Sequence, residues 1–417
     1  MKYFKTDGIR GVFGKDDLSV ELLLKIGYSF DIFKEKNILI GYDTRYSSKI
    51  ILNTLKYSLR LCGKNVIDYG LMSTPCMHYL SRKKNTVGIM ITASHNDYTY
   101  NGIKIILKGD KLSDEDKYCL EKRMEENHKA YKIGLEKMRK IPKSYYSHFN
   151  RIKTNNKLKI VFDLANGSMT FLKEYLEKRF LNAIFINTEP NGFNINHECG
   201  SLYPELARKI MIENDYDIAV SFDGDGDRAI IIYKNGKILN GDLMLYFFAL
   251  EYKRRGILKN DKVIYSIIAN RGITKELEEN GIDVIFTDVG DQNISKMIKK
   301  GISNLGGEKS GHIILNKKMN YSCGLTTFLY FLSFLNDEAI IKMNSINEYY
   351  EISKNIDKLD NPSKLKDELK KTLINGYVNV RKSGTENVYR IVCMSQNKEE
   401  IQDSLRIIKN HEANNIS

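Results

Sequence analysis

Three times along this chain a strand-like apolar run alternates with a helix-spaced segment, and each round closes on a polar turn of its own composition. In the first round, residues 37–41 and 64–69 read as strands around helical spacing at 50–62, and the run Val87–Ile91 leads into Thr92-Ala93-Ser94-His95-Asn96. In the second, strands at 157–162, 182–187 and Ile218–Phe222 lead to Asp223-Gly224-Asp225-Gly226-Asp227-Arg228. In the third, strands at 262–268 and 284–287 precede Gly306-Gly307-Glu308-Lys309-Ser310-Gly311-His312. Such alternation predicts an α/β fold with parallel-type sheets. Ligands gather beyond the carboxyl ends of strands in such sheets, so three unlike loops at equivalent ends predict three similar domains facing one cleft. The expected boundaries are 1–145, 150–244 and 245–347, with a smaller α+β tail at 350–417. The charged stretches 114–143 and 353–371 read as the segments that follow the first and third units.

Composition enters mainly to exclude. No apolar run approaches the roughly 18 residues that span a bilayer. The first residues lead straight into a motif without a signal-like apolar region, so a cytoplasmic protein with no membrane partner is expected. The six cysteines contain no CxxC pair, which fits reduced, mostly buried thiols. A net charge of +13 raises the question of nucleic acid. Lysines are interleaved with glutamates, as at 121–132, and no aromatic–arginine stripe is present. The charge therefore reads as a solvated surface that also draws in a phosphorylated substrate.

The acidic turn at 223–228 is the most specific signal. Three carboxylates at alternate positions after a run as apolar as Ile218–Phe222 cannot be buried unpaired. The glycines let the backbone curl so that all three face one centre, and hard oxygen ligands favour Mg²⁺. An EF-hand fails because the twelfth loop position is Lys234. Ser94-His95-Asn96 alone is a polar turn. Beside a metal loop, a serine displayed at a strand end becomes a candidate phosphoryl carrier. Neither a GxSxG elbow nor a Walker A pattern occurs. Arg381-Lys382-Ser383-Gly384-Thr385 has the composition of a phosphate cradle, and Arg390 follows on the next strand. In Glu308-Lys309-Ser310-Gly311-His312, glutamate and serine suit sugar hydroxyls, and histidine suits a phosphate or a proton.

TASHN…NGIK, DGDGDR, GEKSGH and RKSGTE, in this order and spacing, resemble the α-D-phosphohexomutase family over essentially the whole chain. TDGIRG near the start and Gly41-Tyr42-Asp43-Thr44-Arg45 also match. TDGIRGVFG, residues 195–205 (INHECGSLYPE) and the GGE-x-SGH loop are most similar to the family's glucosamine-phosphate branch. The resemblance implies three α/β domains with mixed sheets and a smaller C-terminal α+β domain around a central cleft. Ser94 would carry the phosphate. Asp223, Asp225 and Asp227 would hold one Mg²⁺ together with an oxygen of phospho-Ser94. Arg10, His95, Lys104 and Arg228 would surround the transferring phosphoryl group. Glu308 and Ser310 would hold sugar hydroxyls, and His312 of the same loop would also meet the substrate. Arg381, Ser383, Gly384, Thr385 and Arg390 would grip the other phosphate. The implied reaction converts glucosamine 6-phosphate to glucosamine 1-phosphate through a glucosamine 1,6-bisphosphate, feeding UDP-N-acetylglucosamine and cell-wall precursor synthesis. The expected partner is a small sugar phosphate, and the expected state is a monomer or homodimer. A mutase of broad glucose and mannose phosphate specificity is the alternative, and a Mg²⁺- and sugar-phosphate-binding sensor is a further one. Asp97, Asp288, Gln292, Cys323 and Asn387 depart from the family's usual residues, and Asp97 lies nearest the reacting turn.

Overall fold

A computed structural model describes residues 1–4, 8–15, 18–126, 132–315, 319–383 and 388–414. The chain divides into two compact units: Met1–Gly241 with Ser310–Phe334, and Asp242–Lys309 with Leu335–Ser417. Among the described residues the strands form four sheets.

Two of these sheets lie in the first unit. In the first, the strands run in the order Ile9–Val12, Tyr100–Leu107, Val87–Ile91, Asn37–Tyr42, Asn65–Leu71 and Glu136–Met138. Tyr100–Leu107 is antiparallel to both its neighbours, and the remaining pairs are parallel. All five residues of Val87–Ile91 are buried, as expected for a central strand covered on both faces. Helix Thr74–Lys84 shows how local chemistry sets an element. Ser73 caps it by accepting the Cys76 N–H, Pro75 lies in its first turn, and Asn85 ends it in the left-handed conformation. In the second sheet, Ile218–Phe222 runs parallel to Ile160–Asp163 and antiparallel to Ala229–Tyr233. The acidic turn is therefore the loop of a hairpin at the sheet's centre.

In the second unit, Asp283–Thr287 and Leu305–Gly307 flank Lys262–Ser266 in parallel. The C-terminal sheet is antiparallel, with Tyr389–Ser395 between Tyr350–Ile356 and Tyr377–Lys382. Helices Pro362–Thr372 and Lys398–Asn414 contribute Leu365, Leu369, Ile401 and Ile408 to its core. Three α/β domains with mixed sheets and a smaller antiparallel fourth are thus the architecture.

Two charged stretches hold more than the sequence suggests. Helix Asp114–Met124 starts at a Ser113/Asp116 capping box, but Glu136–Met138 then joins the first sheet beside Asn65–Leu71. All three of its residues are exposed, so the strand has no apolar alternation to betray it. Tyr350–Ile356 is likewise an edge strand with Lys354 and Asn355 outward. The first helix, expected over 18–34, is α-helical over Val20–Tyr28 and continues as a 3₁₀ turn, Ser29–Ile32.

Asp242 gives the second unit a titratable element. It is fully buried in the first turn of helix Gly241–Arg254, and its Oδ2 accepts the Asn270 N–H at 3.0 Å. Burial pushes its pKa from 3.8 up to about 7. The folded chain therefore holds this proton more tightly than the unfolded chain. Stability from this group is present at acid pH and is lost as pH rises from about 4 to about 7, by up to about 4 kcal/mol. Asp242→Asn keeps an acceptor for Asn270 and removes the titration. Its Tm should match or fall below the parent's near pH 4 and exceed it at pH 8; a Tm difference that does not change with pH would refute the assignment.

Candidate active site

Ser94 lies just beyond the carboxyl end of Val87–Ile91, is 2% exposed, and has φ +54°. A non-glycine residue there costs roughly 1–3 kcal/mol and needs its surroundings to hold it. Its N–H donates to Thr92 Oγ1 at 2.9 Å, and its carbonyl accepts from Arg45 Nη2 and from Asn196 Nδ2, both at 2.9 Å. The side chain is thereby turned toward the acidic loop, where Oγ donates to Asp223 Oδ2 at 2.7 Å. His95 Nδ1 lies 3.4 Å from the same Oγ. Arg10, on Ile9–Val12, donates from Nη1 to Asn96 Oδ1 at 3.1 Å.

Asp223, Asp225 and Asp227 are buried and present carboxylate oxygens within 4.8 Å of one another. Lys104 Nζ donates to Asp225 Oδ2 at 2.7 Å and to Asp227 Oδ2 at 3.2 Å. Thr74 donates through Oγ1 to Asp225 Oδ2 at 2.5 Å and through its N–H to Asp225 O at 2.9 Å. The N-terminus of helix Thr74–Lys84 is thus docked on the loop. Arg228 Nε stands 3.8 Å from Asp223 Oδ2, and His312 Nδ1 stands 3.5 Å from Asp227 Oδ1.

The electrostatics divide the three acids. Burial, then Asp227 and Asp225, push Asp223 well above the usual carboxylate range. Burial also opposes charge on Asp227, but Lys104, His312 and Arg228 outweigh it and hold that carboxyl well below the range. His95 is pushed well below the ordinary histidine value by Arg228, by burial and by Arg10, so its imidazole is neutral. Asp225 Oδ1 is buried and has no hydrogen-bond partner among the described residues. Three buried hard oxygen donors, one without a hydrogen-bond donor and one whose charge burial and its acidic neighbours oppose, suit a divalent cation.

The remaining expected residues are distributed as follows. Ser310, in the first unit, has a buried Oγ without a hydrogen-bond partner among the described residues. In the second unit, Glu308 accepts the Gly290 N–H at 2.9 Å, and Lys309 pairs with Glu351. Arg381 and Arg390 are direct cross-strand partners. Burial and Arg390 together push Arg381 below its usual value. Like charges set opposite each other are unfavourable, and an anion between them relieves the strain. The Ser383 N–H donates to Val388 O at 2.8 Å. Gly384 and Thr385 lie outside the described residues, as does Asn387.

Asp97 is less disruptive than its position suggests. Its carboxylate turns away to accept the Thr99 N–H at 2.8 Å, an exposed Asx turn. Cys323 is buried and burial pushes its thiol up, so it brings no charge to the acidic loop. Asp288 is exposed.

Sequence reasoning passed over three residues at this site: Arg45, Asn196 and Thr74. Arg45 is buried, paired with Asp43 at 2.9 Å, and also donates to the carbonyls of Asn96, Asp97 and Tyr100. Asp43-Thr44-Arg45 after an apolar strand was a usable signal, because a buried ion pair at a strand end usually serves a neighbouring loop. Asn196 lies in the 195–205 motif that carries the resemblance, but nothing in that motif says where its amide points.

Models of three phosphoglucomutase/phosphomannomutase α/β/α domains match this chain: domain I at residues 1–131, domain II at 139–236 and domain III at 240–354. The chain belongs to the phosphoglucomutase/phosphomannomutase family. A phosphoglucosamine mutase of Dictyoglomus turgidum is 35% identical over 420 residues, covering 94% of this chain and 93% of that protein. A family member from Burkholderia thailandensis has the same fold, with a TM-score of 0.82 at 22% identity over 98% of this chain and 96% of its own. An N-acetylphosphoglucosamine mutase of Aspergillus fumigatus, solved with GlcNAc-6P and magnesium, gives a TM-score of 0.67 at 15% identity, covering 97% of this chain and 95% of its own. No helix among the described residues is long and apolar enough to cross a membrane.

Proposed function

We propose that this chain is a phosphoglucosamine mutase, an isomerase that interconverts glucosamine 6-phosphate and glucosamine 1-phosphate through a phosphorylated Ser94. The observation that carries the reading is Ser94 Oγ, held 2.7 Å from Asp223 within a buried acidic loop that Lys104 and Arg228 flank. The free sugar hydroxyl attacks the phosphorus of phospho-Ser94. The bond from phosphorus to Ser94 Oγ breaks as the bond to the sugar oxygen forms, giving the 1,6-bisphosphate. The bisphosphate turns over, Ser94 Oγ attacks its other phosphorus, and the bond from that phosphorus to the sugar oxygen breaks as the proton lost in the first transfer returns to the sugar oxygen.

His95, 3.4 Å from Ser94 Oγ, and Lys104 are the candidate proton-transfer or charge-stabilising groups beside the reacting oxygen. Lys104, Arg10 and Arg228 offer positive charge to the transferring group. Mg²⁺, held by Asp223, Asp225, Asp227 and an oxygen of phospho-Ser94, would neutralise phosphate charge and polarise the phosphorus. Glu308, Ser310 and His312 are assigned to the sugar end, and Arg381, Ser383, Gly384, Thr385 and Arg390 to the non-reacting phosphate. A cytoplasmic setting agrees with six free thiols.

The phosphorylated protein, assayed side by side on glucosamine, glucose and mannose 6-phosphates, should favour the amino sugar in kcat/KM by at least about tenfold. Comparable values for the three would assign a broad phosphohexomutase instead. Binding without turnover on any of them, with Ser94 phosphorylated and bisphosphate present, would mark a sensor.

A further inference from the structure

Beyond the residues that meet phosphate, the turn carrying Ser94 is held by a side chain from a turn of the second α/β domain. We propose that Asn196 is a positioning residue for Ser94: its amide clamps the serine's own carbonyl and so keeps Oγ aimed for transfer. The inference rests on the phosphoserine reading above.

Asn196 is 6% exposed, and both hydrogens of its side-chain amide are spent on the reacting turn. Nδ2 donates to Ser94 O at 2.9 Å and to Asn96 O at 2.8 Å. Arg45 Nη2 donates to the same two carbonyls, at 2.9 and 2.8 Å. Each carbonyl oxygen therefore has two donors, one for each lone pair. The peptide that follows Ser94 can rotate only by giving up a buried hydrogen bond on either side.

The clamp is itself fixed. The Asn196 N–H donates to Ala165 O at 3.0 Å, and the Gly200 N–H donates to Asp163 Oδ2 at 2.7 Å, both beyond or at the end of strand Ile160–Asp163. The acidic loop closes on the same junction. A Cβ on Gly224 would lie 2.6 Å from Ser94 O and 2.8 Å from Asn196 Nδ2. Arg45 lies in the loop after Asn37–Tyr42, a strand of the sheet that leads to Ser94, whereas Asn196 lies in a turn that follows Ala183–Ile186, a strand of the sheet that leads to Asp223. Asn196 thus ties the serine's left-handed backbone to the carboxylate that its hydroxyl meets.

A misplacement near 1 Å at a reacting centre costs about 10²-fold in rate. Asn196→Ala removes both donors, Asn196→Ser keeps a smaller polar group, and Asn196→Asp sets a carboxylate against two carbonyls. Each should lower kcat, by about 10²-fold for alanine and more for aspartate, with KM for the sugar phosphate within about twofold of the parent. Single-turnover transfer from the bisphosphate onto Ser94, followed by mass, should slow by the same factor as kcat. A kcat within about threefold of the parent in all three, a rise in KM at unchanged kcat, or a loss that merely tracks the folded fraction overturns the inference. Ser94→Ala serves as the control. If it is inactive while Asn196→Ala is fully active, only the positioning role fails; if it turns over normally, the phosphoserine reading itself fails.

Discussion

Ser94→Ala is expected to lose turnover by on the order of 10⁴-fold or more while the protein remains folded. The chemical reason is that no other group takes over the covalent role. Thr92 Oγ1, a nearby hydroxyl, is committed to the Ser94 N–H at 2.9 Å. The fold should survive because the losses are local. Alanine gives up one hydrogen bond to Asp223, worth roughly 1–3 kcal/mol at a buried acceptor. Asp223 also accepts the Arg228 N–H at 3.1 Å, so it is not stripped of partners. The backbone strain at φ +54° carries over to alanine, which has the same Cβ as serine. Two measurements on the bisphosphate-primed variant check this: turnover by coupled assay and phosphate incorporation by intact mass. Turnover within about tenfold of the parent would remove Ser94 from the mechanism. A dead but still phosphorylated variant would move the carrier to another side chain.

Much of this site is readable from residue order because it is built on strand ends. Val87–Ile91 is a continuous apolar run and Ile218–Phe222 is broken only by the buried Ser221, so their limits in sequence are their limits in the structure. The residues after each strand must form a loop at its carboxyl end, and that places Ser94 and Asp223 from sequence alone. Lys104 is legible for a related reason. It interrupts the apolar strand Tyr100–Leu107, and a buried lysine in a strand requires an acidic partner. Exposed edges are not legible. Glu136–Met138 and Lys354 carry no inward apolar period, so pairing with a neighbour, rather than their own pattern, makes them strands. The groups that hold the site in shape are also hidden. Asn196 and Thr74 reach the reacting centre across long sequence separations, and their residue types are common in ordinary turns. Spacing reports what a segment does for itself; contacts made for another segment leave no period behind.

Arg45 tests that distinction most severely, since it is a charge buried for the sake of a loop. Arg45→Met should destabilise the first unit by about 3–5 kcal/mol, the range for breaking a buried pair at one end. It leaves Asp43 fully buried and removes the donors that hold four carbonyls between Ser94 and Tyr100. Arg45→Lys should recover only part of the loss. An ammonium keeps the charge opposite Asp43 but cannot fork across a carboxylate and several carbonyls at once. Combining Asp43→Asn with Arg45→Met separates the two contributions. If the cost were mainly the uncompensated carboxylate, the double variant would regain most of the stability. The amide oxygen introduced by Asp43→Asn could still accept from the backbone N–H at position 45 and from Ser48 Oγ, as Asp43 does at 3.1 and 2.9 Å. If the cost lies in the carbonyls, the double variant should stay near the single one and remain poor in kcat. The geometry favours the first outcome, since Asp43 is left as a buried carboxylate without its cation whereas two of the four carbonyls keep Asn196 as a donor. Denaturant unfolding should place the parent first and Arg45→Met last, with Arg45→Lys and the double variant between them. An Arg45→Met midpoint shift worth less than about 1 kcal/mol would show that the loop around Ser94 holds its shape without this residue.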